Sequence, residues 1–169
     1  MQLEWMGRYR ELVAALILNE NIVSRNMSVR VPMYQGIGLI AQEWQTLEYL
    51  LEHEDENDCM NRISERLGIP QSSLSKAVKN LVAFGLVERF RRPTNRKNVI
   101  LRATPLGREL YVHQIEAMKA AGFGAFFEAL DRLDDEAIAR FTLALNRMSG
   151  QVDAAVAPEP LIPLKASGN

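Results

Sequence analysis

Apolar residues recur at helical spacing along most of the chain. Tyr9, Leu12, Val13, Leu16, Ile17 and Val23 place one stripe on a helix from about Leu3 to Asn26. Pro32 and the Gly36-Ile37-Gly38 group break that run. A second helix starts near Leu39, with Ile40, Trp44, Leu47, Leu50 and Leu51 on one face, and ends in the acidic loop Glu52 to Asp58. Ile63 and Leu67 predict a short helix over Asn61–Leu67 that stops at Gly68, a residue suited to a left-handed C-cap. Pro70 opens the next helix in its first turn, where a fixed φ is tolerated. Leu74, Val78 and Leu81 line its buried face and Gly85 ends it.

The period then changes to two. Leu86-Val87-Glu88-Arg89-Phe90 alternates as a strand does, and Val99-Ile100-Leu101 is a second short β-prone run. Between them Arg91 to Asn98, with Pro93, Asn95 and four basic side chains, reads as a hairpin loop. Thr104 as N-cap and Pro105 at the first position predict a helix that runs to about Met118 or beyond, until Gly122 and Gly124 loosen it. Asp134 caps a last helix whose stripe is Ile138, Phe141, Leu145 and Met148. Beyond Gly150 the tail has Pro158, Pro160 and Pro163 and no periodicity, and reads as a loose extension.

Helix, glycine turn, helix, strand, basic loop, strand is the plan of a winged helix-turn-helix. The fold class is therefore mainly α with a small β-hairpin wing. A winged lobe occupies residues 36–103, with a recognition helix at about 70–84 and a wing at about 91–98. Residues 1–30 and 104–150 are expected to form a helical dimerisation region, although their stripes could also be buried inside one subunit, and 151–169 a C-terminal tail.

Composition narrows the setting. A chain of 169 residues that is 47% hydrophobic can bury a real core. No segment approaches 18 uninterrupted apolar residues, the first residues do not read as a signal peptide, and the single cysteine, Cys59, fits a reducing compartment. A cytoplasmic protein without a membrane span is expected.

Charge changes the picture further. Arg62 to Arg108 holds 11 of the 20 basic residues and two of the 21 acidic ones, Glu65 and Glu88, although the whole chain carries a formal charge of -1. Such segregation points to a polyanion, and the helix-turn-helix pattern points to double-stranded DNA. With Leu74, Val78 and Leu81 buried, the outer face of the 70–84 helix shows Gln71, Ser72, Ser73, Ser75, Lys76 and Lys79. Gln71 suits an adenine edge, and Lys76 a guanine or a phosphate. Arg91, Arg92, Arg96 and Lys97 place cations on the wing, while Asn61, Arg62 and Arg66 flank phosphates.

Several strings resemble the MarR family of bacterial regulators. They are Gly68-Ile69, Leu74-Ser75-Lys76, Leu81 with Gly85-Leu86-Val87-Glu88-Arg89, and Thr104-Pro105-Leu106-Gly107. Leu39 followed by Trp44 and Leu47, and Leu133-Asp134-Asp135-Glu136, match the family's pattern too, so the resemblance covers roughly residues 8–149. It implies an obligate homodimer with intertwined first and last helices, two winged lobes on a palindromic operator, and a small-molecule or redox input. Two positions depart from the pattern. Asn95-Arg96-Lys97 stands where the family's wing usually has Asp-x-Arg, and Ala103 where a leucine often precedes the threonine.

Tyr9, Met33, Tyr34, Trp44, Tyr111 and His113 are candidates for lining an effector crevice, against the alternative that aromatics at helical spacing are plain core. His53 and His113 lack metal-ligand spacing. No catalytic triad, paired-carboxylate site or phosphate-cradling loop is present, so neither enzyme activity nor a cofactor is expected. The expected function is a dimeric repressor released from its operator by a small molecule. The alternatives are a ligand-independent regulator, one gated by oxidation of Cys59, and a winged-helix module that docks an acidic protein.

Overall fold

The computed structural model describes residues 4–26, 28–91, 98–149 and 162–163. The N-terminal run is not one helix. Gly7, at φ 49°, kinks a 3-10 segment, Glu4–Tyr9, that precedes helix α1, Arg10–Asn26. The break around Pro32 is a hairpin that the periodicity did not disclose. Strands β1 (Val31–Tyr34) and β2 (Ile37–Leu39) pair antiparallel about Gln35 and Gly36. Both turn residues have positive φ, 53° and 77°, as a type I′ hairpin turn requires.

Helices α2 (Ala41–Glu52), α3 (Met60–Leu67) and α4 (Gln71–Ala83) follow. Gly68 ends α3 at φ 63°, with Ile69 N–H donating to the Ser64 carbonyl and Gly68 N–H to that of Glu65. Gly85 ends α4 in the same way at φ 70°, with Leu86 N–H on Leu81 and Gly85 N–H on Val82. Pro70 stands at the N-cap of α4 rather than inside its first turn, and its carbonyl accepts from Ser73 and Leu74. Strands β3 (Val87–Arg91) and β4 (Val99–Ala103) pair antiparallel from Val87↔Ala103 to Arg91↔Val99.

Leu47, Ile63, Leu74, Val78, Leu81, Leu86 and Leu110 are fully buried and belong to one cluster that joins α2, α3 and α4 to β3 and to helix α5, Pro105–Met118. The joint between lobe and α5 is tight. Thr104 Oγ1 accepts from Gly107 N–H at 3.1 Å and donates to the Gly85 carbonyl at 2.7 Å. Thr104 N–H donates to the Leu86 carbonyl at 3.0 Å. A Cβ on Gly107 would lie 2.4 Å from that same carbonyl oxygen, so glycine permits the approach.

Gly122 and Gly124 do not stop the helical path. A π-helical turn, Lys119–Phe123, carries it from α5 into α6, Gly124–Leu130. Asp134 Oδ1 accepts from Ala137 N–H at 2.7 Å and so caps α7, Asp135–Ser149. Two residues of the tail, which reads as loose in sequence, form strand β5: Ile162 pairs with Arg91 and Pro163 with Phe90, giving the strand order β4-β3-β5. Among the described residues no helix is long and apolar enough to cross a membrane.

Candidate nucleic-acid interface

Helix α4 is amphipathic in the sense a groove-reading helix needs. Leu74, Ala77, Val78 and Leu81 are buried against the lobe, while Gln71, Ser72, Ser75, Lys76 and Lys79 are exposed. Ser73 is half-buried and contributes less to that face than the sequence suggests. Asn61 is exposed in the first turn of α3 and Arg62 half-buried beside it. Arg91 is half-buried at the end of β3, and Arg92, Arg96 and Lys97 lie outside the described residues. The starts of α3 and α4 meet the base of the wing at a shallow cleft of about 210 Å³, lined by Asn61, Gln71, Ser75 and Asn98 among others. Cys59 also lines it, half-buried, with its backbone bridged to Ile100; it is not the enclosed core cysteine that its type suggests.

Part of the basic block is used inside the protein. Arg66, expected beside phosphates, is held by partners of its own chain. Its guanidinium is tied to Glu56, lies 3.4 Å from Asp58 Oδ2, and donates to Tyr49 Oη at 3.0 Å. Arg102 donates to Asn57, and Arg108 to Glu54. All these acceptors except Tyr49 sit in the loop after α2, whose acids the sequence presents as a solvated run. Desolvation works against the charged form of Arg66, but hydrogen bonds to Tyr49 and Glu56 outweigh it and raise the pKa. Glu56 is held below the ordinary carboxylate value, first by its hydrogen bond with His53 (2.8 Å) and then by Arg66. Burial and the hydrogen bond to Asp58 push the Tyr49 phenol up.

The aromatic candidates divide. Tyr34 stacks on His113 with centroids 4.3 Å apart, and Trp44 on Tyr111 at 5.1 Å, which brings β1, α2 and α5 together. Tyr111 Oη donates to Glu48 at 3.0 Å. Trp44 is 6% exposed, and its Nε1 is buried with no hydrogen-bond acceptor among the described residues. Tyr9 stands apart on the 3-10 segment, 55% exposed with Arg8 over its ring. Met33 is placed on β1 by its backbone alone.

One group was missed altogether. Glu43, on the same helix as Trp44 and Leu47, is fully buried and bound by Arg30 and Asn80. The available signal was an acid next to the most apolar positions of α2.

Residues 37–97 match the sequence model of the MarR family. No curated protein sequence matches the chain. Among solved structures, the transcriptional regulator BldR from Sulfolobus solfataricus is similar at a TM-score of 0.62 and 21% identity, covering 90% of this chain and 100% of that one. The PcaV transcriptional regulator from Streptomyces coelicolor, solved with its natural ligand, gives 0.58 and 17% over 90% of this chain and 99% of that one. MepR from S. aureus, solved as a DNA complex, gives 0.57 and 16% over 88% and 98%. At these identities the likeness establishes a shared fold.

Proposed function

We propose, from the match of residues 37–97 to the MarR family model, that the chain is a cytoplasmic, homodimeric transcription regulator. It represses from a palindromic operator and leaves it when a small molecule binds. The observation that carries this reading is the polar face of α4, with Gln71, Ser72, Ser75, Lys76 and Lys79 exposed over a fully buried backing. A helix fits the major groove, and short hydroxyls near its start let it approach the base edges. MepR, of the same fold, was solved bound to DNA, which supports the assignment.

Dimerisation is supported by α1 and α6, which bury none of their residues and carry Ile17 at 51% and Phe126 at 52% exposure. Two-fold symmetry would then set two recognition helices on two half-sites. For the effector, the stacked pairs Tyr34–His113 and Trp44–Tyr111 offer flat apolar walls, and the buried Trp44 N–H calls for an acceptor that a ligand would bring.

The test is a binding titration on a duplex selected from a random pool by the wild-type protein. Lys76→Ala is expected to weaken the selected duplex about tenfold more than random DNA, as loss of a base contact of ~1–3 kcal/mol implies. Equal affinity and unchanged preference would remove α4 from the groove. The position of Cys59 in the cleft favours oxidation as a second possible input. Peroxide weakening DNA binding by the wild type but not by Cys59→Ser would establish it.

A further inference from the structure

Glu43 is 0% exposed, next in sequence to the buried Trp44. A carboxylate removed from water is tolerated where its oxygens are fully answered. Four donors answer this one. Arg30 grips it with both terminal nitrogens, Nη1 on Oε2 at 2.8 Å and Nη2 on Oε1 at 2.9 Å. Ile40 N–H donates to Oε2 at 3.0 Å, and Asn80 Nδ2 to Oε1 at 2.6 Å. These donors come from the segment joining α1 to β1, the entry to α2 and the last turn of α4. Arg30 reaches further: it also donates to the Gly38 carbonyl on β2 and lies 5.3 Å from the ring of Phe84, the C-cap of α4.

We propose that Arg30, Glu43 and Asn80 form a positioning clamp that sets the orientation of α4 relative to the chain leaving α1. This rests on the reading of α4 as the groove helix. Asn80 lies one helical turn after Lys76, so a change at its anchor rotates or tilts the exposed face directly. Apolar contacts are non-directional and constrain the rotation of α4 less sharply than directed bonds do. A bidentate arginine and a short amide hydrogen bond on one carboxylate admit a single orientation. The clamp also makes Arg30, which follows α1 by four positions, sensitive to any displacement of that helix. A shift there is passed through Glu43 to the helix that presents Lys76.

A cluster that merely stabilised the lobe would behave differently, and the full-length chain can tell the two apart. The probes are the selected duplex and a random duplex of the same length. Asn80→Ala is expected to keep the fold, since alanine suits a helix interior, and to lower the preference for the selected duplex at least tenfold. Arg30→Lys keeps the charge but loses the two-pronged grip and is expected to lower the preference in the same direction. Should one variant fail to fold, the other carries the test.

Neither variant should change the slope of affinity against salt, because no phosphate contact is lost. The triple change Arg30→Met, Glu43→Leu, Asn80→Leu is expected to recover thermal stability without recovering the preference. Folded single variants with wild-type preference would overturn the clamp, as would a triple variant whose preference returns along with its stability. If the wild type enriches no duplex at all, it is the DNA-reading assignment that falls.

Discussion

The winged lobe and the flanking helices carry similar apolar stripes and dispose of them in opposite ways. In the lobe Leu47, Ile63, Leu74, Leu81 and Leu86 are all at 0% exposure, closed over by elements of the same chain. In the flanks Leu12 is 43% exposed, Ile17 51%, Ile22 47%, Phe127 49% and Met148 75%. Helical periodicity alone does not distinguish a stripe that meets its own chain from one that meets another. The difference lies in connectivity. The lobe's helices are joined by turns of a few residues and fold back on one another, whereas α1 and α7 are separated by the whole lobe.

That contrast can be broken from either side. The largest effect is expected from Leu81→Ala, which leaves a hole in a closed core and should cost about 2–5 kcal/mol of lobe stability. Denaturant melts would show it, with a loss that does not depend on protein concentration. Next, Ile17→Glu should leave lobe unfolding nearly unchanged. Under the proposed dimer it should weaken self-association by about 100-fold, ~2.7 kcal/mol, read by sedimentation across a dilution series. A monomeric wild type would end the distinction, since the exposed stripes would then have no role in pairing.

Gly107→Ala tests the joint between the two regions. Its new methyl meets the Leu86 carbonyl oxygen at 2.4 Å, so α5 must move off the lobe, at a cost of about 1–3 kcal/mol. Thermal melts of lobe and flank signals should separate in that variant. The smallest effect concerns acid. The folded pKa of Glu56 lies below its ordinary value of 4.5, so its contribution is complete above that value and fades as pH falls through the lower, folded one. Stability measured down this range should drop less steeply in Glu56→Gln, and an unchanged slope would mean that the His53 and Arg66 contacts contribute nothing.

Much of the lobe was legible because its punctuation is chemical. Gly68 and Gly85 end helices at positive φ, and Thr104-Pro105 starts one, each at the position its backbone requirement dictates. The β1–β2 hairpin was not legible: its strands have four and three residues, and Pro32 reads as a breaker although it lies within β1. Gly122 misled in the opposite direction, since a π-helical turn accommodates it without ending the helix.

The candidate site was readable on α4, where buried and exposed positions alternate by rule. It was less so in the charge pattern, because a count of charges does not carry their partners. Arg66, Arg102 and Arg108 find theirs 10, 45 and 54 positions away. Glu43 was hidden for a related reason: its side-chain partners come from outside α2, 13 positions before it and 37 after.

Strand β5 bears on a hazard unrelated to DNA. A hairpin wing ordinarily leaves a row of backbone donors and acceptors open along its outer strand, a template on which a foreign chain can zip itself. Here Ile162 and Pro163 lie along β3 at Arg91 and Phe90. The outermost residue at one of those two positions is a proline, which has no N–H to offer a further strand. The tail thereby blunts the sheet where it would otherwise be adhesive, and gives the wing a measure of protection against aggregation that its own two strands cannot supply.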